Sequence, residues 1–117
     1  MGRVWPRHEQ RGRPLNAIVR HQAMRTDTIE IFSDATNSAV MRHPERRFPG
    51  VLVQGDTLHT LCVAADASCK AALGRISPED YENLNELRNH LWDLLNHYKA
   101  VLGEHQIPLP FMERPDA

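Results

Sequence analysis

The sequence lacks the features of a membrane-spanning or exported chain. No apolar run approaches the roughly 20 residues that cross a bilayer, and the first residues lack the apolar core, about 7–15 residues long, of a secretory signal. Only two cysteines occur, Cys62 and Cys69. Seven positions apart on one predicted helix, they would lie about 10 Å apart along its axis, beyond disulfide reach. We therefore expect a soluble, cytoplasmic protein with two reduced, buried thiols.

Recognisable signatures of catalysis are also missing. The chain has no glycine-rich phosphate loop, no HExxH, no CxxC and no nucleophile elbow. Asp56 and His59 lie three residues apart at the start of a predicted helix and could form an acid–base pair. A helix N-cap with a neighbouring histidine accounts for the same two residues. We expect that the protein is not an enzyme and uses no cofactor.

One spacing of histidines is compatible with metal binding. His90, Asp93 and His97 stand at i, i+3 and i+7, which aligns two imidazoles and a carboxylate on one stripe of a helix. Histidines that flank a leucine stripe are more commonly surface residues. We expect no metal, and these three residues are the candidate ligands if one binds.

The net charge of −1 hides a division of the chain. Residues 1–25 contain six arginines and one glutamate, a net charge of +5, and residues 26–117 contain eight basic and fourteen acidic residues, a net charge of −6. We expect residues 1–25 to be a basic extension and residues 26–117 to be a single α+β domain, because 117 residues suffice for one modest core.

Three interpretations of the basic extension are open. Clustered arginines could bind nucleic acid phosphates. An organellar transit segment would be rich in hydroxyl residues, but the first Ser or Thr of the chain is Thr26. We favour the third interpretation, that Met24 is the natural start, because the charge sign and the strand pattern change directly after it.

Alternating apolar residues predict three short strands, at residues 28–32, 38–42 and 51–54. Turn residues separate the first two strands, and a charged loop that includes Arg46 and Arg47 precedes the third. Antiparallel pairing is expected because a parallel crossover needs a dozen or more residues.

Two helices follow. The first covers residues 57–73, with Asp56 or Thr57 as N-cap and both cysteines on its apolar face. The second covers residues 78–102, with Ser77 as N-cap and Gly103 as the residue that ends it. Its apolar stripe repeats at three and four residues and consists of Leu84, Leu87, Leu91, Leu94, Tyr98 and Val101, with Tyr81, Leu95 and Leu102 widening it.

These elements predict an α+β fold, in which a small three-stranded antiparallel sheet is packed by an antiparallel helical hairpin with one long heptad-like helix. The second helix, about 37 Å long, is longer than the first can cover. The rest of its stripe is expected either to pack on the sheet or to join a second copy as a homodimer. Residues 107–111, which alternate apolar residues with prolines, are expected to strap over the core.

Residues 47–56, RFPGVLVQGD, are the most distinctive run of the chain. With the long acidic, leucine-containing helix and the closing IPLPF of residues 107–111, the chain resembles a family of small bacterial proteins of unknown function from residue 29 to residue 111. The resemblance implies no catalytic residues. In size and charge, but not in motif, the chain is similar to immunity proteins that are encoded beside bacterial toxins.

Two functions of different classes follow. The first is an immunity-type inhibitor that binds a basic toxin domain, because acidic surfaces speed the encounter with basic partners. No membrane partner is expected. The candidate contacts of the inhibitor are Glu79, Asp80, Glu82, Glu86 and Asp93 of the long helix and Arg46 and Arg47 of the loop. The alternative is a small dimeric regulatory or nucleic-acid-associated protein that uses the arginine-rich arm. A plainly solvated helix face would also account for the acids.

Overall fold

The structure is a computed structural model that describes residues 22–113. The predictions for the basic extension therefore fall almost entirely outside the described residues and stay predictions. Five elements follow one another along the described chain: β1 (Glu30–Ser33), β2 (Val40–Arg42), β3 (Gly50–Val51), α1 (Gly55–Ala72) and α2 (Pro78–Glu104). The α+β class and the order of elements are as predicted.

The sheet is antiparallel, in the order β1-β2-β3. Ile31 pairs with Met41, which in turn pairs with Gly50, and the register shifts between Ile31 and Ser33. The predicted third strand was too long, since β3 ends at Val51. The Leu52 N–H still donates to the Ala39 carbonyl (2.8 Å), and the chain then leaves the sheet to enter α1.

The two faces of the sheet differ in polarity. Alternation along the strands places on one face only apolar side chains, which we call the apolar sheet face: Ile29, Ile31, Ala39, Met41 and Leu52. The opposite face carries an ion pair between Arg42 and Glu30 (2.6 Å), and the Arg42 guanidinium lies 5.8 Å from the centre of the Phe32 ring. That opposite face also carries Phe32 and Val51, which are 56% and 60% exposed, so the sheet exposes apolar side chains on both faces and only the apolar sheet face lacks charged ones.

Helix α1 begins earlier than predicted. Gln54 is the N-cap residue, without a side-chain hydrogen bond, and Asp56 Oδ1 accepts only from the adjacent Thr57 N–H (2.8 Å). The prediction of Asp56 or Thr57 as N-cap was wrong. The first helical residue, Gly55, is a glycine because α2 passes very close to it: a Cβ there would overlap the Tyr98 ring.

Helix α2 starts as predicted and ends later. The Ser77 Oγ accepts from the Asp80 N–H (3.0 Å), and Pro78 occupies the first turn, where its missing N–H costs nothing. Gly103 was wrongly predicted to end the helix, which continues to Glu104. Gln106, not glycine, adopts the left-handed conformation (φ 59°), and the Ile107 N–H then closes the end by donating to the Leu102 carbonyl (2.9 Å).

The two helices pack against each other as an antiparallel hairpin, turned at Gly74, which has φ 78°. Their interface buries six side chains: Cys62 and Cys69 of α1 and Tyr81, Asn85, Arg88 and Leu95 of α2. Both cysteines are fully buried thiols, as predicted.

Only part of the apolar stripe of α2 faces α1: Tyr98 lies against Gly55, and Tyr81 and Leu95, which widen the stripe, are buried. Leu87 and Leu94 are 55% and 49% exposed, whereas Leu95 is fully buried. The inner face is rotated from the stripe by about one residue, or roughly 100° around the helix. The expectation that α1 covers this stripe was therefore wrong at Leu87 and Leu94, because α1 packs instead on the face that carries Arg88.

In the described part of the chain, the sheet and the hairpin make no close backbone contact. Among the described elements, no Cα atom of a strand lies within 8 Å of a Cα atom of a helix. The predicted packing of the α2 stripe on the sheet is therefore not seen in this part of the chain. The tail does contact the hairpin: the Phe111 ring stacks on His59 (4.1 Å between ring centres), and Glu113 pairs with Lys99.

Candidate functional site

The first turns of α2 carry most of the predicted contact residues. Glu79, Glu82 and Glu86 follow at i, i+3 and i+7, so they share one face of the helix, which we call the acidic row. Asp80 stands beside it in the first turn, and all four side chains are exposed. Within residues 22–113 none of the four carboxylates forms an ion pair or a side-chain hydrogen bond.

The helix dipole accounts for only part of the acidic row. The positive end of α2 stabilises Glu79 and Asp80, which lie in its first turn. The effect falls off beyond that turn, so it leaves Glu86 unexplained. Glu82 lies three residues from Glu79 and four from Glu86, spacings at which like charges destabilise a helix by a few tenths of a kcal/mol. Nothing in the described chain offsets that repulsion.

The remaining predicted contact residues are placed differently. Asp93 is half-buried and already has an interaction partner, so it does not belong to the free carboxylates. Arg46 and Arg47 are exposed between β2 and β3. The Arg47 guanidinium lies 5.2 Å from the centre of the Phe48 ring, and its carbonyl accepts from Arg42 Nη1 (3.3 Å). Arg46 and Arg47 thus belong to the sheet end of the molecule, and the acidic row belongs to α2.

The histidines of α2 do not assemble a metal site. His90 and His97 are both exposed, and across the described residues no three His, Cys, Asp or Glu side chains form a group that could hold a metal ion. The spacing of His90, Asp93 and His97 therefore aligns these residues on the helix without bringing a third ligand to either histidine.

His97 instead lines a groove of about 790 Å³ at the C-terminal end of α2. Residues 22–27, Ile29 and the turn at His43 and Pro44 form its other side, and His105 contributes a third imidazole. The groove mixes these histidines with apolar side chains such as Val101. It has neither the enclosed apolar lining nor the converging polar groups that are typical of a small-molecule site.

Between the helices lies a buried polar network that the sequence analysis missed. Arg88 has a fully buried side chain, and its Nη1 lies 3.6 Å from Oδ1 of Asp66 on α1. The same oxygen accepts a hydrogen bond from Trp92 Nε1 (3.0 Å), and Arg88 Nη2 donates to Asn85 Oδ1 (2.5 Å). Arg88 therefore links the two helices through Asp66 at the centre of their interface.

Burial dominates the protonation of this interface. It raises the pKa of Asp66, although the Trp92 hydrogen bond and the Arg88 charge act in the opposite direction. Burial likewise lowers the pKa of Arg88 and raises the pKa of Cys69, and it raises the pKa of Cys62 to about 12. A thiol with so high a pKa is almost wholly protonated at neutral pH and is a poor nucleophile.

The comparisons with known proteins give a family and no function. A family model matches residues 24–111, well over half of the chain. The chain belongs to DUF6959, a family of unknown function. The match includes the RFPGVLVQGD run of residues 47–56 on which the resemblance depended. Searches of curated proteins and of solved structures gave no match.

The DUF6959 match covers the sheet and the hairpin together, from Met24 to Phe111. Both the acidic row and the buried network around Arg88 therefore lie within the family region. Among the described residues no helix is both long and apolar enough to cross a membrane.

Proposed function

We propose that this DUF6959 protein is a protein-binding module of the immunity type, an inhibitor that presents the acidic row of α2 to a basic toxin domain. The observation that carries the proposal is the set of four exposed carboxylates at Glu79, Asp80, Glu82 and Glu86, which have no ion-pair partner within the described chain. A basic partner would supply the missing positive charge, and complementary charge raises association rates and sets specificity.

The internal repulsion of the acidic row favours this function over a merely solvated surface. Solvated helix faces commonly alternate acids with lysines or arginines at i+4, which stabilises the helix. Here Glu82 is followed at i+4 by Glu86, and Glu86 by His90. A helix that keeps this unfavourable arrangement is suited to a role in which the row meets external cations.

The state of the buried residues supports a binding role. The two thiols are buried and held in the protonated form, and Asp66 is engaged by Arg88 and Trp92. The side chains with unusual pKa values thus serve the packing of the hairpin and lie away from the exposed acids.

The first test is whether the reading frame immediately upstream of this gene encodes a toxin domain, since an unrelated metabolic operon would count against the proposal. A toxin domain found there is then used in a rescue experiment. Cells that express the toxin domain should survive when the wild-type protein is co-expressed and should die when it carries Glu79→Lys with Glu86→Lys. The purified pair should lose about tenfold or more in affinity at low salt and less at high salt, because screening weakens exposed charges.

A matched control separates the acidic row from net charge. Asp34→Lys with Glu45→Lys changes the charge by the same amount at two exposed positions of the sheet. This control should rescue growth as the wild type does. Rescue that survives the reversal at Glu79 and Glu86, or that is lost equally in both variants, would overturn the role of the acidic row.

A further inference from the structure

Within residues 22–113, two apolar surfaces that carry no charged side chain are largely uncovered, and they lie on different elements. One is the apolar sheet face, on which Ile29, Ile31 and Leu52 are 39%, 59% and 46% exposed. The other is the part of the α2 stripe that we call the leucine seam, formed by Leu87, Leu91 and Leu94, with Leu87 and Leu94 about half exposed. Each is the kind of surface that an α+β domain normally packs on the other.

The small size of the sheet makes packing of its apolar face important for its stability. Its strands have four, three and two residues. So small a sheet is stable only when its apolar face packs on another element. Within residues 22–113 the helices leave that face largely exposed: no strand Cα lies within 8 Å of a helix Cα, and Ile29, which lines a groove with Val101 of α2, is still 39% exposed.

We propose that a second copy of this chain covers both surfaces, in a two-fold dimer in which the apolar sheet face of each copy packs on the leucine seam of the other. With two-fold symmetry, the contact between a sheet face and a leucine seam occurs twice, and it covers both surfaces of both copies. Only three residues, Leu52–Gln54, join β3 to α1 in each chain. The dimer does not depend on the function proposed above.

The available area fits such an interface. A fully exposed large apolar side chain has an accessible area on the order of 200 Å². The five most exposed residues of the two surfaces therefore expose an apolar area of roughly 500 Å² per chain. A standard interface buries about 800 Å² per partner, of which about 65% is apolar in homodimers, so it requires about the same apolar area.

The dimer leaves the acidic row accessible. At about 100° per residue, the row formed by Glu79, Glu82 and Glu86 lies roughly 100° around α2 from the leucine seam. A sheet that covers Leu87 and Leu94 therefore packs beside the row and not on it. Self-association and partner binding use different sides of the same helix.

The first test is the mass of the full chain in solution. Sedimentation or light scattering at tens of micromolar should give twice the 13.4 kDa of one chain. Ile31→Glu and Leu94→Glu should each reduce that mass to the monomer value, with helical circular dichroism retained because both sites are exposed in one chain. Leu61→Glu is the matched control, since Leu61 is 44% exposed on α1 outside both surfaces, and it should stay dimeric.

The second test fixes the arrangement by disulfide cross-linking. Two differently tagged chains are co-expressed, one with Ile31→Cys and the other with Leu94→Cys, and are then oxidised. A cross-link between the two tags is expected, and none is expected when Glu82→Cys replaces Leu94→Cys. The native Cys62 and Cys69 will not interfere, because they are fully buried.

Four outcomes would overturn the proposal. A monomer at tens of micromolar would exclude the dimer. Cross-links between two copies of Leu94→Cys would indicate a coiled coil of α2 helices, and cross-links between two copies of Ile31→Cys would indicate sheets packed on each other. A dimer that survives both glutamate substitutions would place the interface elsewhere.

Discussion

The helical hairpin and the sheet differ in how much of their apolar surface is buried within one chain. The hairpin buries two thiols, Tyr81, Leu95 and a charged network within one chain, whereas the sheet leaves apolar side chains such as Ile31 and Phe32 more than half exposed. The comparison teaches that a single chain completes only one of its two layers. It also separates the residues that hold the monomer together from those that are free to meet another molecule.

The largest expected effect comes from removing the charge at the centre of the hairpin. Arg88→Ala should lower the free energy of unfolding by about 3–5 kcal/mol, because it empties a fully buried site and leaves Asp66, whose side chain is 33% exposed, without its cation. Chemical denaturation measures the loss. Arg88→Met combined with Asp66→Leu should cost less than Arg88→Ala, since apolar replacements remove both charges at once. Equal losses would mean that the pair does not couple the helices.

This network also marks what the sequence could and could not predict. Strand pairing, the helical hairpin and the Ser77 cap followed from alternation, short connections and helix-start chemistry, all of which are local. The inner face of α2 was predicted only in part: Tyr81 and Leu95 were expected to widen the stripe, but Arg88 was missed because sequence patterns treat arginine as a surface residue. A signal was present: Asp66 interrupts the apolar stripe of α1, and Asp66 and Arg88 both lie eleven residues from Ser77, which stands between the two helices.

The candidate site was predictable in part for the same reason. Exposed acids at the start of a helix follow from sequence, and Glu79, Asp80, Glu82 and Glu86 are exposed as expected of contact residues. Whether Asp93 is free depends on tertiary contacts, which spacing does not show. The separation of the sheet from the hairpin was likewise invisible, because amphipathic patterns say that a face is apolar and not what covers it.

A second test compares a buried leucine with an exposed one. Leu95→Ala should cost about 2–5 kcal/mol, because the side chain is fully buried between the helices. Leu61→Ala is the matched control at a site that is 44% exposed, and it should cost about 1 kcal/mol or less. Thermal or urea unfolding gives both values. Similar costs for the two variants would contradict the placement of the inner face.

A substitution of Gly55 tests the contact with α2 at the point where the chain passes from the sheet into the hairpin. Gly55→Ala should destabilise the protein by about 1–3 kcal/mol, because the new Cβ overlaps the Tyr98 ring. Gly103→Ala has open space around its Cβ within α2, so it should be neutral or stabilise by up to about 1 kcal/mol. Tyr98→Ala should relieve part of the Gly55→Ala cost when the two are combined. Independent effects would argue against the contact.

A smaller effect is expected from the buried thiols at alkaline pH. The pKa of Cys62 rises to about 12 from an ordinary value of 9.0, so between these pH values the unfolded chain loses a proton that the folded chain keeps. Stability should therefore fall as pH rises from about 9 towards 12. Cys62→Ser should show a shallower fall in urea-denaturation measurements over that range. An unchanged slope would show that the thiol is not protected from ionisation.

Hydrogen exchange as a function of protein concentration tests the central comparison most directly. Amides of the buried hairpin face, such as those of Cys69 and Leu95, are expected to stay protected from exchange at every concentration. The amides of β2, at the centre of the sheet, should gain protection only as the concentration rises through the range where the mass doubles. Equal and constant protection of β2 and of the hairpin in a 13.4 kDa monomer would contradict the comparison.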